Sequence, residues 1–132
     1  MTTLETPRHR VEGLGSAHSG VQQFWRLRAS GMALAFLSLW FAYAALGLVA
    51  TTGPAITHQV RVLSFLQHPV NSVLMGAFVM ISAYHMTLGL REVIEDYVPT
   101  SGFRIFLLLL TRLFGYVVSI AALVALLRIT IA

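Results

Sequence analysis

The chain contains no cysteine among its 132 residues. Disulfides, thiolate zinc sites and cysteine-ligated iron–sulfur clusters are therefore excluded, and any redox group must rest on other ligands. Charge is also scarce, at 11% of residues against 57% hydrophobic, and the mean hydropathy is +0.77. A soluble fold this short could not hide so much apolar surface. Lipid removes the difficulty, because it solvates the outside of each helix and leaves only the interhelical faces to be packed. Lysine is missing as well: all nine basic residues are Arg, set against five acids, Glu5, Glu12, Glu92, Glu95 and Asp96, for a formal charge of +4. The arginines are spread along helix ends and form no dense patch with interleaved aromatics, which argues against nucleic-acid binding. A removable signal peptide is not indicated either, since the first apolar run follows a long mixed segment with no small-residue cleavage site.

What is present is three long apolar runs. Gly31 to Ala50 carries no charge over a stretch long enough to cross a hydrocarbon core of about 30 Å, and Phe24-Trp25-Arg26-Leu27-Arg28 before it has the aromatic and basic character of an interfacial start. The second run extends from Val70 to Leu90 and ends in Arg91, Glu92, Glu95, Asp96 and Tyr97, after which Pro99 and Gly102 break the helix. The third, Ile105 to Leu127, carries Arg112 inside it. The expected fold is an all-α membrane protein of three transmembrane helices, at about 24–50, 69–97 and 103–130. Residues 1–22 are expected to be a flexible cytoplasmic tail and residues 23–132 the membrane domain; the segment between Thr51 and Pro69 reads as a polar connection. Gly13, Gly15 and Gly20 in the tail are not followed by the strand and helix that a dinucleotide site needs.

Arginine placement sets the orientation. Arg8, Arg10, Arg26 and Arg28 precede the first helix, and Arg91 and Arg104 flank the connection between the second and third, with Arg112 within snorkelling reach. The opposite side has Arg61 and Arg128. The N-terminus is thus expected in the cytoplasm and the C-terminus across the membrane. No internal repeat is visible, which weakens a transporter built from duplicated halves.

His85 is the most informative residue. It lies twelve residues before Tyr97, about 18 Å along a helix, so it sits near mid-bilayer, where an imidazole requires a partner. Gly89, Glu92 and Asp96 fall with it within about 40° of one line at 100° per residue, a stripe from mid-membrane to the surface. Gly89 leaves room for something flat and bulky, such as a porphyrin edge. The plain alternative is a histidine bonded to a neighbouring helix, with Gly89 as a packing contact. The acids after His85 sit at a helix C-terminus, where the macrodipole disfavours them, and Arg91, Arg104 and Arg112 are candidates to compensate. Asp96 and Tyr97 lie at headgroup level, where a phenol can bond the carbonyl of a lipid-soluble ligand; an interfacial-belt tyrosine is the alternative. Met75, Met80 and Met86 read as packing or lipid-facing residues, and His9, His18, His58 and His68 as solvated.

The stretch from His85 to Val98 resembles the signature of the hydrophobic membrane-anchor subunit of succinate dehydrogenase, H-x-x-x-G-x-x-x-V-[IL]-x-D-Y-V, here carried by His85, Gly89, Val93, Ile94, Asp96, Tyr97 and Val98. Gly20-Val21, Phe24 and Arg28 followed by small residues, and Arg104 after the second loop, extend the resemblance over nearly the whole chain from Gly13. It implies that His85 is an axial ligand of haem b, that Arg28 lies near the haem propionates, and that Tyr97 hydrogen-bonds ubiquinone beside Asp96. Some members have histidine where Gln22 stands. The resemblance also implies partners: a larger cytochrome b anchor subunit supplying the second axial imidazole, an iron–sulfur subunit and a flavoprotein. The expected role is docking and site-sharing in a succinate:quinone oxidoreductase, in a bacterial inner or mitochondrial-type membrane, with no activity of the chain alone. Competing readings are the anchor of a fumarate reductase, a proton-coupled transporter or channel subunit using His85 and Asp96, and a structural assembly factor.

Overall fold

The computed structural model describes residues 19–50 and 54–131. Residues 1–18 of the expected tail, with His9 and His18, lie outside them. Among the described residues four helices follow one another: α1 (Ser19–Val49), α2 (Ala55–Gln67), α3 (Pro69–Tyr97) and α4 (Ser101–Ile131). Three of these, α1, α3 and α4, are long and apolar enough to cross a membrane. At 29 to 31 residues each is about 45 Å long, more than a hydrocarbon core needs, so their ends reach the headgroup layers. Helix α1 starts at Ser19, so residues 19–22 belong to its first turn and not to a tail.

The polar connection expected between Thr51 and Pro69 is in large part a helix. Its two prolines punctuate the chain without unwinding it. Pro54 stands at the N-cap of α2 with ψ 152°, and no Gly or Pro interrupts the thirteen residues that follow. His68 is extended at φ −69°, ψ 123°, as a residue before proline prefers, and Pro69 then opens α3 at a position where its missing N–H is not needed. The same device ends α3, where Val98 is extended ahead of Pro99. At about 20 Å, α2 is too short to cross a membrane. It caps the end of the bundle where α1 finishes and α3 begins, held by the stacked Trp40 and Phe65 rings with centroids 6.2 Å apart and by the Asn71 amide donating to the Phe65 carbonyl at 3.1 Å.

Helix α3 is the central element and has two unlike faces. Toward α4 the contact runs through small residues of both helices: a Cβ added at Gly76 of α3 would meet Leu123 and Leu126 at 3.6 Å, and one added at Gly115 of α4 would meet Thr87 Cγ2 at 2.6 Å. Ser72 and Thr130 join the same two helices at 2.8 Å. Such close backbone approach is how helices associate where lipid gives no hydrophobic drive. Toward α1, on the opposite side, α3 presents Phe78 stacked on Phe41 at 5.1 Å, then His85 and Glu92. Little is buried: among the described residues the apolar core is Ala83, Ile94 and Leu126, while Tyr43 is 81% and Phe36 76% exposed. The apolar exterior of three spans long enough to cross a bilayer makes this an integral membrane protein.

Candidate functional site

The antiparallel packing of α1, α3 and α4 gathers Arg26, Arg28, Arg91, Glu92, Glu95, Asp96, Tyr97 and Arg104 at one end of the bundle. His85 lies within α3, twelve residues from that end. The stripe His85, Gly89, Glu92 is the α1-facing side of α3. His85 Nδ1 stands 2.9 Å from Ser30 Oγ, and the Ser30 hydroxyl also donates to the Leu27 carbonyl of its own helix at 3.0 Å. One residue on, a Cβ at Gly31 would come 3.3 Å from His85 Cε1, so the imidazole lies against bare α1 backbone. Two turns toward the surface, the Gln23 amide donates to Glu92 Oε1. Between them, nothing stands within 4 Å of where a Gly89 Cβ would be.

The acids find partners of two kinds. Arg91 Nε donates to Glu95 Oε1 at 2.7 Å within α3, and Glu92 is held by the neutral Gln23. Arg104 and Arg112, expected to join an ion-pair network, pair with no acid among the described residues. Asp96 and Tyr97 are adjacent and exposed at the helix end, Tyr97 at 81%. Arg28 does not share the His85-facing side of α1. It sits ~160° around the helix from Ser30, exposed, with its guanidinium 4.7 Å over the Phe24 ring. Phe24 and Trp25 meet edge to face at 6.0 Å, giving the start of α1 an outward aromatic and basic cluster suited to the headgroup layer. His58 is half-buried on α2 and His68 exposed at the α2–α3 joint.

Sequence reasoning missed Ser30, Gly31 and Gln23 as the partners of the α3 stripe. The signal was the run of small residues after Arg28, which marks a close approach without saying to what. It also missed a cleft of about 440 Å³ on another flank of α3, where Arg26, Arg91 and Arg112 from three helices meet Thr87, Gly115 and Tyr116. His85, Asp96 and Tyr97 do not line it.

An α-helical bundle with three apolar spans among the described residues, a histidine within one of them bonded through Nδ1 to Ser30, and a polar end carrying Asp96 and Tyr97 is the architecture of a small integral membrane protein. The chain belongs to the succinate dehydrogenase/fumarate reductase transmembrane subunit family, whose pattern matches residues 2–127. It is 32% identical over 93% of its length to the succinate dehydrogenase hydrophobic membrane anchor subunit of Paracoccus denitrificans, covering 90% of that protein. It is 35% identical over 89% of its length to the subunit of the same description from Rickettsia conorii, again covering 89% of it. No solved structure gives a significant match. Membership sets the chain among the membrane-anchor subunits of succinate dehydrogenase.

Proposed function

We propose that this chain anchors a succinate:quinone oxidoreductase, with the N-terminus and the α3–α4 connection on the cytoplasmic side. There it docks the iron–sulfur and flavoprotein subunits against the end bearing Asp96 and Tyr97. Within the membrane it shares a haem b with a larger cytochrome b anchor subunit. His85 would hold the haem iron through Nε2, and Arg28, on the outward face of α1, would meet the propionates from the side turned to that partner. The observation that carries this reading is His85 itself: a mid-span imidazole that, among the described residues, is hydrogen-bonded through Nδ1 alone, with open space beside it at Gly89. Those residues fit a haem, since one ring nitrogen remains for iron and a flat macrocycle has room against the helix. Bound there, the haem would supply a one-electron store beside the quinone route. Asp96 and Tyr97 bind and orient ubiquinone at the interface, the phenol donating to a carbonyl oxygen and the carboxylate handling protons. The family description spans both directions of the reaction; the relatives named for succinate dehydrogenase favour succinate oxidation.

The test is His85→Leu in the assembled complex. Loss of the low-spin bis-imidazole signal from the optical spectrum, with the subunits still co-purifying, is the expected result. An unchanged spectrum would reject the ligand assignment.

A further inference from the structure

We infer that Ser30 is a positioning residue for haem ligation, fixing the His85 ring in the tautomer that leaves Nε2 free for iron; this rests on the ligand role proposed above for His85. The number of protons available to the three atoms decides the tautomer. A serine hydroxyl has one hydrogen, and here it goes to the Leu27 carbonyl, an atom that can only accept, at 3.0 Å. What Ser30 Oγ then offers His85 Nδ1 at 2.9 Å is a lone pair. The contact is a hydrogen bond only if Nδ1 carries the proton. A neutral imidazole has one N–H, so Nε2 is left with the lone pair that a metal ligand needs.

The surroundings hold this choice in place. Ser30 is the buried polar residue among the described ones, at 6% exposure, and no bilayer water competes for either partner. Gly31 brings the α1 backbone against the ring edge, where a Cβ would stand 3.3 Å from Cε1, so the ring has little freedom to turn. An imidazole donating from Nδ1 to an oxygen is also a more basic ligand through Nε2, which favours the oxidised iron. Ser30 therefore sets both the direction of the ligand and its electron-donating strength, from a different helix.

The experiment uses the whole complex with Ser30→Ala, reading the haem midpoint potential by redox titration and the haem retained per complex. The expected outcome is a potential shifted upward, with haem lost on the order of 10–100-fold more readily. A residue that only packed the helices would leave the potential where it was. Ser30→Thr keeps the hydroxyl and its bond to the preceding turn, and is expected to stay at the wild-type potential. A threonine variant displaced as far as the alanine one would overturn the proposal. So would an unchanged potential and retention in Ser30→Ala alongside a His85→Leu complex that has lost its low-spin signal, an outcome that leaves the ligand reading standing. A His85→Leu complex with the wild-type spectrum would remove both.

Discussion

Tyr97 shows what a single residue can contribute at the membrane surface. Its ring is 81% exposed at the end of α3, next to Asp96, so its hydroxyl is open to a ligand or a partner. Tyr97→Phe deletes that hydroxyl and keeps the ring, removing one hydrogen bond typically worth about 0.5–1.5 kcal/mol. A bond that strengthens as the quinone oxygen gains charge affects rate more than binding. Quinone-dependent turnover should fall, while succinate oxidation by a water-soluble acceptor and haem absorption stay near wild type, since His85 is three turns away. Equal loss of both activities would point to failed assembly, and full quinone turnover would make Tyr97 an interfacial-belt residue only. At this scale the sequence was legible for His85 and Gly89, because helical periodicity puts them on one line. It was not legible for Ser30 or Gln23, whose importance lies in the register between α1 and α3. No pattern within either helix encodes that register.

The helices differ in how they are joined, and the difference is testable. The α3–α4 contact depends on Gly115, where an added Cβ would sit 2.6 Å from Thr87 Cγ2. Thr87 cannot swing aside freely, because its hydroxyl donates to the Tyr84 carbonyl at 2.7 Å and so fixes its rotamer. Gly115→Ala should destabilise the pair by ~1–3 kcal/mol, as overpacking does, read as a lower thermal midpoint of the purified complex. Adding Thr87→Ser, which removes the clashing methyl and keeps the hydroxyl, should restore much of it. A single variant as stable as wild type would show that the helices separate without strain. The three spans themselves were plain from their long apolar runs, the first two free of charge and the third carrying Arg112 alone. Helix α2 was not, because Gly53, Pro54 and Pro69 carry the composition of a loop and mask the amphipathic pattern of the thirteen residues between Pro54 and His68. Prolines at the two ends of a short helix look the same in sequence as prolines that prevent one.

For the molecule as a whole, the arrangement of charge sets a topology. Arg26, Arg28, Arg91 and Arg104 lie at one end of the bundle, and Arg61 on α2 and Arg128 near the end of α4 lie at the other. Reporter fusions are expected to place the connection around Thr100 in the cytoplasm and the end of the chain at Ala132 on the opposite side. The reverse pattern at the two points would invert the proposed docking face.

The thin interior described above, Ala83, Ile94 and Leu126 beneath a surface of exposed aromatic and aliphatic side chains, bears on how the chain finds its neighbours. Between helices in lipid, swapping an acyl chain for a leucine gains almost nothing, so the greasy exterior cannot tell one companion from another. On the proposed role, recognition falls to the sparse polar points: the imidazole in mid-span, the carboxylate and phenol at one rim, and the guanidinium groups around them. Most outward positions are thereby free to exchange one apolar residue for another at little energetic cost, which is compatible with an identity of 32% to the relative from Paracoccus denitrificans.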